Sequence, residues 1–267
     1  MSTGSWIDAL SAPIFEPLWP SLERLPSGRF PRHEELNAIV ESSVISGGGA
    51  PIRFVPPLSF KEPSAQYEIR IFETGQVQTR PDNWHDLFNA LVWLTFPRTK
   101  AVLNRHHREQ IIARRGEPLR GTVRDVLTLF DEGGVIVGAA DAGLCALLRD
   151  FRWKELFWTH RADVSRRMRF NVFGHAIYEK ALEPYKGVTA KALIVDVAPA
   201  LLHAPAGRLL AELDARAEHY FSETQALAST RSLSPLPILG IPGWELSNAE
   251  ERYYDDVSQF RPRRARA

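Results

Sequence analysis

One stretch constrains this chain more than any other: residues 82–97 read DNWHDLFNALVWLTFP. Asp82 or Asn83 can cap a helix here, and Pro97 suits the first turn of the next one. From Trp84 to Phe96 only His85, Asp86 and Asn89 carry strong polar groups, apart from the hydroxyl of Thr95. A helix this apolar is expected to be buried nearly all round. At about 100° per residue, His85 and Asn89 lie about 40° apart and Asp86 about 100° from His85, so all three occupy one side of the first two turns. Left unpaired inside the protein, each would cost about 1–3 kcal/mol, so each must be hydrogen-bonded or bound to something else.

The same arrangement recurs twice. In the helix expected over 97–115, Lys100, Asn104 and His107 stand at i, i+4 and i+7 beside Val102, Leu103 and Ile111. In a helix expected over 161–182, Asn171, His175 and Glu179 stand at i, i+4 and i+8 among apolar neighbours, with Gly174 allowing close approach by another backbone or a ligand. Three such helices could converge on a shared polar centre. Imidazole and carboxylate are ligands for a divalent metal ion, and His85, His175 and Glu179 form the candidate ligand set. Asp86 or His107 would then transfer protons, Asn89 and Asn104 would orient, and Lys100 would neutralise the substrate. The same residues could act without metal, as a general acid and base oriented by amides. They could also be helix caps and internal hydrogen-bond networks with no chemistry, and Asp86 sits where a carboxylate favours a helix dipole. No H-E-x-x-H motif chooses among these readings.

Composition narrows the class. No apolar run approaches the length of a bilayer span, so no membrane partner is expected. The single cysteine, Cys145 in GLCALL, excludes an intramolecular disulfide and a multi-cysteine zinc site, and reads as a small core filler. No secretory signal opens the sequence, which together with one cysteine points to a reducing cytoplasm. SGGGAP and DEGGV lack the features of a phosphate loop, and there is no G-x-S-x-G elbow. The 33 Lys and Arg balance 32 Asp and Glu, but unevenly. Residues 98–124 hold eight basic residues against two Glu, and 149–169 hold seven against three acidic ones. Sharing a face, these helices could attract an anionic small molecule or nucleic acid; a solvated helix face is the ordinary alternative.

The expected fold is α+β: a mostly helical single domain over 1–267 with two short β-hairpins. Residues 1–50 form an irregular N-terminal segment, anchored by Trp6, Ile14, Phe15, Leu18 and Trp19, with a short helix at 33–46 and a mobile Gly47-Gly48-Gly49 loop. The hairpins are read at 67–79 and 127–137, where alternating residues flank E-T-G-Q and D-E-G-G turns. Their wording matches at an offset of 58 residues, which follows from shared turn chemistry or from a structural repeat; the Asp131-Glu132 pair is assigned to the turn. Further helices are expected at 141–160 and 204–227, a strand or short helix at 189–198, an apolar loop at 235–244 and a disordered basic tail at 261–267.

At NWHDLFNALVWLTFPRTKAVLN, and again at FDEGG, FGHAIYEKALEP, PLPILGIPGW and FRPRR, the chain resembles a bacterial, proteobacterial-type family of unknown function, over about residues 50–263. The resemblance implies a cytoplasmic single-domain protein and supplies no reaction. The expectation drawn from the residues themselves is a metal-assisted hydrolase of an anionic, phosphate-bearing substrate. The alternative is a non-catalytic interaction or nucleic-acid-binding protein.

Overall fold

The computed structural model describes residues 6–58, 63–113, 122–223 and 227–263. In chain order its helices are α1 (Trp19–Leu22), α2 (His33–Ala38), α3 (Ser64–Thr74), α4 (Trp84–Thr95), α5 (Pro97–Ala113), α6 (Thr122–Gly133), α7 (Ala142–Arg149), α8 (Arg161–Arg167), α9 (His175–Leu182) and α10 (Ala206–Ser222). The strands are β1 (Arg53–Val55), β2 (Gln76–Gln78), β3 (Gly134–Ala139), β4 (Met168–Val172), β5 (Thr189–Asp196) and β6 (Ser234–Pro237). The chain is a mixed α+β structure, as its sequence suggests.

Every residue of β3 is buried. It lies inside a four-stranded sheet of order β4-β3-β5-β6, parallel to β5 and antiparallel to β4. Helices α6 and α10 both pack against β3 and β5. That coverage explains why β3 reads as an unbroken apolar run rather than an alternating one. The helices α3, α4, α5, α6 and α9 pack on one another beside the sheet, α4 against α9 and α5 against both α3 and α6.

Neither expected hairpin forms. Residues 67–74 belong to α3 and residues 127–133 to α6, and each helix runs through a glycine into a strand, β2 or β3. These strands then pair in parallel with β1 and β5. Six residues of apparent alternation do not separate a period of 2 from one of 3.6 when the apolar positions also include an i, i+4 pair such as Tyr67 and Ile71. Gly75 takes the left-handed conformation, φ 70°, and its N–H donates to the Ile71 carbonyl at 2.8 Å to end α3. The likeness at an offset of 58 residues is therefore a shared helix-to-strand junction.

The expected helix over 161–182 is three elements, α8, β4 and α9. The alternating run Met168-Arg169-Phe170-Asn171-Val172 pairs with β3, and Gly174 starts the next helix. A side chain at Gly174 would strike the Glu132 carbonyl, so this glycine serves the close backbone approach anticipated for it. Asn171 consequently leaves the face shared by His175 and Glu179.

Smaller differences have local causes. The helix at 33–46 stops at Ala38, the one at 204–227 spans 206–222, the ambiguous 189–198 segment is strand β5, and the 235–244 loop contains β6. The 141–160 helix ends at Arg149, where Phe151 adopts φ 61°, and a short π-helical turn follows at Glu155–Thr159. The Gly47–Gly49 loop is packed, not free: Gly47 donates its N–H to Asn104 Oδ1 at 3.2 Å and sits against the α5 backbone. Ile14, Phe15 and Leu18 anchor the N-terminal segment in the core as expected, while Trp19 stays exposed. The start of the basic tail is tied down, with the Arg261 carbonyl accepting from Trp153 Nε1 at 2.9 Å and Arg263 bonded to Asp150 at 2.7 Å; residues 264–267 lie outside the described residues. No described helix is long and apolar enough to cross a membrane.

Candidate functional site

Helix α4 begins as its sequence dictates: Asn83 Oδ1 accepts the Asp86 N–H at 3.0 Å, capping a helix with six fully buried apolar residues. The cap fixes the rotation of the first two turns. His85, Asp86 and Asn89 then face a cavity of about 420 Å³. Helix α5 adds Lys100, Asn104 and His107, α9 adds His175, α6 adds Arg124, Thr128, Asp131 and Glu132, and α3 adds Tyr67 and Glu68. Seven of the eight residues singled out from the sequence thus reach one chamber. The eighth, Glu179, stands behind His85 and is not part of the cavity wall.

Lys100 is buried in this network, with its residue 6% exposed. Its Nζ donates to Asp131 Oδ1 at 2.7 Å and to Asn89 Oδ1 at 2.9 Å, and lies 5.3 Å from the centre of the Trp93 ring. Burial alone would raise the Asp131 carboxyl, but the Lys100 ammonium, the His175 ring and the Lys100 hydrogen bond outweigh it and hold the acid below its ordinary range. The Asn89 amide donates weakly, at 3.5 Å, to the Tyr67 hydroxyl, whose phenol is pushed up by burial.

The histidines differ in environment. His85 Nδ1 is 3.0 Å from Glu179 Oε2 in a half-open position, so its Nε2 is turned away from Glu179. The His85 and His175 rings meet edge to face, with centroids 4.5 Å apart. His175 is buried and its imidazole is pushed down to about 4, chiefly by burial; Lys100 and His85 add to this, while Asp131 opposes it. It is a neutral ring at physiological pH. Its Nδ1 is buried with no hydrogen-bond partner, and the closest carboxylate oxygen, Asp131 Oδ2, is 3.9 Å away. His107 is also buried on the cavity wall.

Other polar groups are consumed locally. Asp86 accepts from Arg80 three times, from the backbone N–H, Nε and Nη2, each at 2.8 Å. Burial raises this carboxyl, but the hydrogen bonds and charge of Arg80 prevail and keep it ionised below its usual range. Asn104 accepts from Gly47 and donates to the Glu68 carbonyl and carboxylate at 3.0 and 2.9 Å. Among the described residues, no three His, Cys, Asp or Glu side chains gather as a metal site requires. The described basic side chains are also largely occupied. Arg152, Lys154, Arg166 and Arg167 pair with carboxylates, Arg161 binds Asn248, Arg98 pairs with Glu218, and Lys100 is inside. Arg114, Arg115 and Arg120 lie outside the described residues.

Asp131, Glu132, Tyr67 and Glu68 also line the cavity, and a hairpin reading of 67–79 and 127–137 conceals them. The signal was present. On a helical reading, Arg124, Thr128 and Asp131 have the same i, i+4, i+7 spacing as Lys100, Asn104 and His107.

A family model described as Protein of unknown function (DUF3025) matches residues 52–264, a span that holds the whole cavity wall. No curated protein and no solved structure matches the chain.

Proposed function

With the chain belonging to the DUF3025 family, whose description carries no reaction, we propose from the site itself that it is a metal-independent hydrolase of a small, polar, uncharged ester or amide. The observation that carries the reading is the carboxylate-oriented His85 ring placed edge to face with neutral His175, beside the buried Lys100 and its half-buried partner Asp131.

Glu179 holds the proton of His85 on Nδ1, which leaves Nε2 as a base toward the cavity. His85 removes a proton from water, and the hydroxide adds to the substrate carbonyl. Lys100 and the neutral N–H of His175 donate to the oxyanion as it forms. The imidazolium of His85 then returns its proton to the leaving group. Asn89 and Asp131 position Lys100; Asp86 and Asn104 hold the walls, since their hydrogen bonds are spent on Arg80, Gly47 and Glu68. An anionic substrate is disfavoured by the wall itself. Arg80, Lys100 and Arg124 face Glu68, Asp86, Asp131 and Glu132, with Arg80 paired to Asp86 and Lys100 to Asp131.

The test is turnover of nitrophenyl esters of short acids and nitroanilides of amino acids, in the presence of a chelator. The expected result is chelator-insensitive hydrolysis that His85→Gln lowers by about 10²–10⁴-fold in kcat/KM. No turnover of either class, loss on chelation, or a His85→Gln variant equal to the parent would overturn it.

A further inference from the structure

A second cavity, of about 510 Å³, opens at the edge strand β4, bounded by α10 and the 241–244 loop. It shares no wall residue with the first. Leu209, Leu210 and Trp244 give it one apolar side, and Arg169, Asn171, Glu16, Ser165 and His203 make the rest of its lining polar. Being two residues apart on a strand, Arg169 and Asn171 project to the same face. Asn171 is 7% exposed, and its amide nitrogen is buried without any hydrogen-bond partner. A buried amide donor of this kind is rare in folded proteins unless something else satisfies it. Arg169 spends Nη1 on the Ser165 and Met168 carbonyls, at 2.7 and 2.9 Å, and none of the described carboxylates is paired with its guanidinium. Glu16, the acid on this wall, is exposed.

We propose that this cavity binds a small organic carboxylate with an apolar body. One carboxylate oxygen accepts the orphaned Asn171 N–H and the other meets the remaining N–H groups of Arg169, while the body lies on Trp244, Leu209 and Leu210. The two donors select the charged end: an amide needs an acceptor, and a guanidinium without a counter-charge needs an anion. The size of the chamber suits a small molecule, and Trp244, Leu209 and Leu210 offer an apolar side to its body. The inference is independent of the hydrolase reading.

Calorimetry on the full chain with 4-phenylbutyrate, and with its neutral amide as the matched control, tests it. The carboxylate is expected to bind with Kd below about 1 mM and the amide about tenfold more weakly. Arg169→Met and Asn171→Leu should each weaken the carboxylate about tenfold, whereas His85→Gln should bind it like the parent. The side-chain amide resonance of Asn171 should shift on titration of the parent protein, which needs no variant to fold. Equal binding of acid and amide, no binding of either, or an unmoved Asn171 resonance would overturn the proposal.

Discussion

At the scale of single residues, the strongest commitment of this chain is a lysine where lysine is seldom found. Lys100 is accommodated inside the protein by Asp131, 2.7 Å away, and by Asn89, which accepts a second N–H. Lys100→Met removes the cation and leaves the half-buried Asp131 carboxylate beside the His175 ring without its partner, so the variant should lose about 3–5 kcal/mol of stability in urea denaturation. Pairing it with Asp131→Leu should restore most of that loss, because the stranded charge leaves with its partner. Neither variant should hydrolyse ester. A pair that served stability alone would instead leave turnover intact in the double variant. Much of this site was legible one residue at a time. The His85, Asn89, Lys100, Asn104, His107 and His175 positions follow from polar groups at helical spacing on apolar faces, which chemistry forces into partnership. What single residues could not disclose is who the partner would be. Asp86 stands on the expected side of α4, yet Arg80, six residues away across a turn, claims it entirely.

At the scale of elements, the error and the success have one origin. Long stretches with strong periodicity, α4, α5 and α10, were readable because many apolar positions had to agree on one period. Short stretches ending in glycine were not, since a glycine serves a hairpin turn, a helix end or a close approach equally well. Gly174 is the third kind. It lets the Glu132–Gly133 backbone touch the start of α9, and that contact sets how far His175 stands from Asp131. Gly174→Ala adds a methyl group where backbone already lies, and should cost about 1–3 kcal/mol. Because α9 also carries Glu179, the shift should reach both partners of His85, so kcat/KM of the hydrolase should fall more than the melting temperature would suggest. Thermal melting and ester turnover measured on the same preparation check this. A variant with a lowered Tm and unaltered kcat/KM would show that the junction merely packs.

At the scale of the whole molecule, two buried groups in different places pull the pH dependence of stability in opposite directions. His175 is pushed down to about 4, mainly by burial, from an ordinary value of 6.5. Its contribution is therefore full above pH 6.5 and is lost as pH falls through about 4, because the unfolded chain takes up a proton that the folded one refuses. Asp214 is the reverse case. It sits in α10 and caps α5, accepting from the Arg98 and Thr99 N–H groups and from the Thr99 hydroxyl at 3.0, 2.9 and 2.7 Å. Burial nevertheless raises its carboxyl from 3.8 to about 6, against those hydrogen bonds. Its contribution is present below pH 3.8 and is lost as pH rises through about 6. Each displacement is worth roughly 3 kcal/mol across its window, and the windows overlap between about pH 4 and 6. The two effects offset each other there, which leaves the parent protein less acid-sensitive than its buried imidazole alone would make it. The single variants should separate them. Relative to the parent, His175→Gln should gain stability steadily as pH is lowered from 6.5 to 4, and Asp214→Asn should lose it over the same interval. Urea denaturation at half-unit steps of pH measures both slopes. Parallel curves for the parent and either variant would mean that the group titrates alike in the folded and unfolded chains, and that burial at that place costs its charged form nothing.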